Sequence, residues 1–115
     1  MKTDLQARGF SLTDALRSAV EREVYEYAAQ FSQRPRRLQV RLFDVNGTHG
    51  GLDKGCLAYA QMGGGRTVLV ATDIDSDMYR AIPAAFAKLA RATRAALGRR
   101  RAQRRRPVLV APLLD

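Results

Sequence analysis

A chain of 115 residues, 46% apolar and 27% charged, has room for one domain around one core and is too hydrophobic for wholesale disorder. Its single cysteine excludes an intramolecular disulfide and a thiolate metal cluster. No run approaches the ~18 apolar residues of a spanning helix, and the N-terminus lacks the apolar core of a secretory leader, so a cytoplasmic protein is expected. The formal net charge of +9 is unevenly placed: ten basic residues meet ten acids from Met1 to Tyr79, whereas Arg80 to Arg106 holds ten basic residues and no acid. Charge gathered on one segment draws polyanions such as nucleic acid or an anionic membrane surface.

Residues 2 to 7 alternate loosely and predict a short first strand with Leu5 and Ala7 inward. Ser11 reads as a helix N-cap, with Asp14 completing a capping box and Phe10 as a hydrophobic staple, so the first helix is expected to start at Leu12. Leu12, Ala15, Leu16, Ala19, Val20, Val24, Tyr27 and Phe31 recur at three- and four-residue steps and form one apolar stripe. This helix ends before Pro35. "RRLQVRLFDV" alternates Leu38, Val40 and Leu42 against Arg37, Gln39 and Arg41, as a half-buried strand does. "NGTHGG" is a turn or hairpin loop. "KGCLAYAQM" is the third strand, Gly63 to Gly65 a reversal, and "RTVLVATDI" the fourth strand, rich in β-branched residues.

Asp75 is the expected cap of a second helix, with Asp77 near its positive end. Run to Leu97, it would span roughly 35 Å. Its inward stripe is Met78, Ile82, Ala85, Phe86, Leu89, Thr93 and Ala96. Arg80, Lys88, Arg91 and Arg94 gather on the opposite side. Pro83 deletes one backbone hydrogen bond and predicts a bend or break. Past Gly98 the pattern fails, because Arg100 and Arg104 would fall on the apolar side, so the arginine block is expected to leave the body of the domain. "PVLVAPLLD" could pair as a strand, dock on a partner or hang loose. The division expected is a domain over residues 1–98 and an arginine-rich tail over 99–115.

The order strand, helix, three strands, helix, with a short crossover joining the first two strands in parallel, predicts an α+β fold: β-α-β-β-β-α, a four-stranded sheet with two helices on one face. Arg99, Arg100, Arg101, Arg104, Arg105 and Arg106 form either a solvated tail or a phosphate-binding surface. Arginine suits the second, because its planar fork makes bidentate phosphate contacts. Tyr79 is expected to lid the core, with Phe10 and Phe86 inside it. Tyr25 lies beside the apolar stripe and could stack on a base. His49, Asp53 and Cys56 match no catalytic or metal-ligand spacing, and the glycine runs lack the ending of a phosphate loop. No catalytic residue, metal or cofactor is therefore expected.

Two blocks, "RGFSLTDALR" at Arg8 to Arg17 and "DMYRAIPAAFAKLAR" at Asp77 to Arg91, in this order and with this strand spacing, resemble the ribosome hibernation-promoting factors, also called ribosome-associated inhibitors or sigma-54 modulation proteins. The resemblance implies the same β-α-β-β-β-α domain, bound to the small ribosomal subunit where transfer RNA and messenger sit, and silencing idle ribosomes. By position it implies ribosomal RNA contacts for Arg17, Lys88, Arg91 and Arg94. The chain departs from the family pattern in three places. Ala95, Ala96 and Leu97 replace a lysine and histidine cluster, "EREVYEYAAQ" is acidic, and Pro83 interrupts the second helix. Arg99 to Arg106 could stand in for the missing cluster. The chain resembles the short family members, which carry no added dimerising domain, and a monomer is expected when free.

The expected function is thus non-catalytic binding of small-subunit ribosomal RNA, using Arg17, Arg80, Lys88, Arg91, Arg94 and the arginine block, with inhibition of translation and no membrane or small-molecule partner. Two alternatives follow from the same residues: a reader of double-stranded or structured RNA, and a protein-interaction module that uses residues 107 to 115.

Overall fold

The computed structural model describes residues 1–45 and 53–105, with the backbone alone over 100–105. The elements run β1 (Lys2–Arg8), α1 (Asp14–Ala29), β2 (Arg37–Asp44), β3 (Lys54–Met62), β4 (Thr67–Asp75) and α2 (Met78–Arg105). The strands lie in the order β1-β2-β3-β4. β1 pairs parallel with β2, while β2–β3 and β3–β4 are antiparallel. This is the α+β architecture expected from the strand and helix pattern. The β3–β4 reversal is a short 3₁₀ turn, Gly63–Gly65; Gly63 and Gly64 have φ of 60° and 72°, a region side-chain-bearing residues avoid.

Alternation decides the two faces of the sheet. Leu38, Val40, Leu42, Cys56, Ala58 and Ala60 point to one side and form a single cluster with the apolar stripes of both helices. Leu38, Leu42, Ile82 and Leu89 are fully buried, each worth roughly 1.5–3 kcal/mol relative to exposure. Small residues on β3 meet small residues on α2, where Ala81, Ala85 and Ala90 are buried, and this lets the long helix lie close to the sheet. Both edge strands carry less of the core: Leu5 and Ala7 of β1 are half-buried. Both helices join this cluster, so neither covers the opposite face of the sheet.

The helix boundaries differ from those expected. Thr13, not Ser11, caps α1: its Oγ1 accepts a hydrogen bond from the Leu16 amide at 3.1 Å, and Asp14 becomes the first helical residue. Leu12 therefore precedes the helix, and Ala15 is exposed. Asp77, not Asp75, caps α2, its Oδ1 accepting from the Tyr79 amide at 2.9 Å. Asp75 closes β4 and accepts from the Asp77 amide at 3.0 Å, which turns the chain into the helix. In each case the side chain nearer the first turn reaches the free amides of that turn first.

Neither Pro83 nor Gly98 stops α2, which runs unbroken for 28 residues, about 42 Å at ~1.5 Å per residue. Ile82, Ala85 and Phe86, pinned in the core on either side of exposed Pro83, hold the backbone helical through the missing bond. Beyond Ala96 no described side chain of the helix is buried. Arginine is a good helix former and complements the negative end of the helix dipole, so the backbone stays helical after the core has ended. The "NGTHGG" loop, Arg106 and "PVLVAPLLD" lie outside the described residues.

Candidate nucleic-acid interface

The buried stripe of α2 is the expected one: Met78, Ile82, Ala85, Phe86, Leu89, Thr93 and Ala96 are all buried. Helical geometry then turns Arg80, Lys88, Arg91 and Arg94 outward, and all four are exposed, as is Arg99. At about 100° per residue, Arg80, Arg91 and Arg94 share one narrow arc, and positions 101 and 105 continue it past the end of the core. Positions 100 and 104 fall on the side that faces the sheet higher up, where no core remains to cover.

The cations differ in what holds them. Arg91 has no partner among the described residues. Arg94 donates from Nη1 to the Gln30 amide oxygen at 2.9 Å, which steadies it against the end of α1 without neutralising it. Arg80 stands 3.9 Å from the exposed Asp77 carboxylate, a surface pair of little energetic weight. Lys88 is the exception: its Nζ donates to Asp73 at 2.9 Å and to the Thr72 carbonyl at 3.1 Å, tying α2 to β4. Its charge is largely answered within the fold. The expectation that Lys88 and the arginines act alike is thereby weakened, because the alternation that turns Asp73 toward the helices also puts it under Lys88.

Arg17 is not part of this stripe. It lines a groove of about 490 Å³ between α1 and β1, whose other walls include Glu21, Tyr25 and Arg34. Tyr25 and Tyr79 are 76% and 51% exposed. Tyr79 is therefore not the expected lid on the core, since the capped first turn swings it outward one residue after buried Met78. Phe86 is in the core and Phe10 packs against it.

Beneath the basic face a buried polar relay fixes the helices to each other. Thr93 Oγ1 donates to the Leu89 carbonyl at 2.8 Å. A hydroxyl has one hydrogen, so the 2.8 Å contact between the Tyr27 hydroxyl and Thr93 Oγ1 must have Tyr27 as donor. Burial raises the Tyr27 pKa. The Tyr27 ring also meets Phe31 and Phe86 edge-on, with centroids 5.3 and 6.2 Å away.

No catalytic arrangement emerges among the described residues. Asp53, fully buried, and Asp44 both accept from Lys54 Nζ, at 3.1 and 2.6 Å, an ion cluster at the loop end of the β2–β3 pair. Cys56 is fully buried in the sheet, its thiol pushed up to about 12 by burial and, secondarily, by the negative charges of Asp73 and Glu23. It is the small strand residue expected. His49 lies outside the described residues. No cluster of three or more potential metal ligands occurs among the described residues, and no described helix is long and apolar enough to cross a membrane.

Comparison with known proteins converges on one group. A family model described as Sigma 54 modulation protein / S30EA ribosomal protein matches residues 3–101. The N-terminal domain of Protein Y from Thermus thermophilus superposes with a TM-score of 0.63 at 22% identity, covering 78% of this chain and 92% of that one. A ribosomal subunit interface protein from Coxiella burnetii superposes with a TM-score of 0.61 at 18% identity, covering 89% and 99%. At these identities the two structures establish the shared fold. No curated protein matches the sequence.

Proposed function

Because this chain belongs to the sigma 54 modulation protein / S30EA ribosomal protein family, we propose that it docks on the small ribosomal subunit through the outer face of α2 and blocks decoding, without catalysing a reaction. The observation that carries this reading is the exposed basic stripe of Arg80, Arg91 and Arg94, laid directly over a buried apolar stripe and, among the described residues, meeting no carboxylate except the weak contact to Asp77. Arginine on a rigid helix presents its planar donors to phosphate at fixed spacing, whereas a mobile chain of the same charge loses entropy on binding. Arg99 extends the surface, and Arg100, Arg101, Arg104, Arg105 and Arg106 belong to the same proposed contact. Lys88 and Arg17 contribute less, the first shared with Asp73 and the second set apart beside β1. The name of one similar structure, a ribosomal subunit interface protein, supports a ribosomal partner.

The test is cosedimentation with purified small subunits on a sucrose gradient. The triple variant Arg80→Glu, Arg91→Glu, Arg94→Glu leaves Lys88 and Asp73 paired and is expected to lose binding while keeping its thermal transition; binding equal to the unmodified chain overturns the reading. If six to ten phosphates are engaged, affinity falls roughly 10³–10⁵-fold between about 50 and 200 mM salt. A plain RNA duplex bound as tightly as the subunit would instead identify a reader of double-stranded RNA.

A further inference from the structure

With both helices on one side, the other side of the sheet is a surface in its own right. Strand alternation sends Arg8, Arg37, Arg41 and Phe43 to it from β1 and β2, and Leu57, Tyr59, Val70 and Ile74 from β3 and β4, opposite the buried Leu42 and Ala58. It is divided by chemistry. The β4 side is apolar, with Val68, Val70 and Ile74 each about half exposed. The β1–β2 side carries Lys2, Arg8, Arg37 and Arg41, with Asp4 the one acid among the described residues facing this way. Two depressions, about 510 and 220 Å³, meet at Arg41 and Leu57. The first is also lined by Arg8 and Phe43, the second by Tyr59 and Val70.

The Phe43 ring is set in place by the absence of a side chain. Gly55 pairs directly with Phe43, and a Cβ on Gly55 would come within 2.2 Å of two ring carbons. The ring therefore lies across the neighbouring strand, with Arg8 as its partner on the other flank. Tyr59 stands four residues further along β3, about 13 Å at ~3.3 Å per residue.

We propose that this open face is a second RNA-contact surface, which holds a short unpaired strand by stacking bases on Phe43 and Tyr59 while Arg8 and Arg41 take the phosphates. It rests on the proposed function only for the class of partner. An unpaired strand is the one ligand that satisfies both halves of the surface, since its bases are flat and apolar on their faces and its backbone is anionic. Paired bases in a duplex offer no free face to an aromatic ring. A second copy of the chain would set this basic half near its own like with a single acid to relieve it, and a purely apolar partner would leave the arginines unanswered.

The chain has no tryptophan, so Tyr59→Trp supplies a reporter at the stacking position. Titrating that variant with a uridine decamer at about 150 mM salt should quench its emission saturably. In anisotropy with a labelled decamer, Tyr59→Ser, Phe43→Leu and Arg41→Glu should each weaken binding about tenfold, the loss of one stacked base or phosphate contact. Each variant's thermal transition reports its folding, and Phe43→Leu keeps an apolar group over Gly55. The Arg80, Arg91 and Arg94 triple variant should still show quenching when the Tyr59→Trp reporter is added to it. Absence of quenching, decamer binding lost only in the triple variant, or a concentration-dependent mass that the sheet variants abolish would each overturn the proposal, the last by showing a second copy on this face. Quenching without any binding to small subunits would defeat the proposed function and leave this one standing.

Discussion

The Tyr27–Thr93–Leu89 relay shows how one hydroxyl can fix the relation of two helices. Removing the Tyr27 hydroxyl leaves Thr93 Oγ1 still donating to its own helix, so Tyr27→Phe should cost about 1 kcal/mol. Thr93→Val strands the buried Tyr27 hydroxyl without an acceptor and should cost more, about 1–3 kcal/mol. The double variant should recover part of the second loss, which chemical denaturation of all four chains would measure as a favourable coupling. Three protons belong to the same scale. Burial raises the Cys56 thiol to about 12 and raises Tyr27 as well, while the bonds to Asp44 and then Asp53 raise Lys54. Each group holds its proton more tightly folded than unfolded. Their contributions are complete below the ordinary thiol value of 9.0 and are lost as pH rises, first through Cys56, then through Tyr27 and Lys54 above 10.0 and 10.5. The melting temperature should fall progressively above pH 9, and a thiol reagent at pH 8 should label Cys56 only when denaturant is present.

At the scale of elements, α2 departs most from expectation. Its two faces were legible because the apolar residues recur at helical spacing from Met78 to Ala96 while Arg80, Lys88, Arg91 and Arg94 fall opposite them. Its length was not, because Pro83 and Gly98 are local signals and the packing that overrides them is tertiary. Gly98 has no neighbour within 4 Å of an added Cβ, so Gly98→Ala should add about 0.5–1 kcal/mol of helix stability. Increased far-ultraviolet helicity, with binding to small subunits retained, is the expected result. The caps were misplaced for a related reason: Ser11 and Asp75 have the right chemistry, but Thr13 and Asp77 stand closer to the first turn. The strands were read almost to the residue, since alternation between buried and exposed positions leaves little freedom of register.

For the whole molecule, the direction of the charge was legible and its internal bookkeeping was not. Ten cations with no acid among them, from Arg80 to Arg106, mark a strongly positive end in the sequence alone. That Lys88 spends its charge on Asp73 and that Arg17 sits apart from the stripe depend on which strand lies under which helix, a fact that appears only in three dimensions. The open sheet face escaped for a different reason. Phe43, Tyr59 and Arg41 are ordinary residues in ordinary strands, and only the pairing of Phe43 with Gly55 and the placing of both helices on one side make them neighbours on an uncovered surface. Separate surfaces on the two sides of one thin domain would let it touch RNA on both.

The parallel pairing of β1 with β2 carries a consequence for how the domain comes into being. The first strand finds its sole partner only after the whole of α1 has been made, whereas β2, β3 and β4 meet through consecutive hairpins. The hairpins close short loops and the crossover a long one. A growing chain can therefore hold its opening segment in waiting, to be set at the margin after the antiparallel centre has formed around β3.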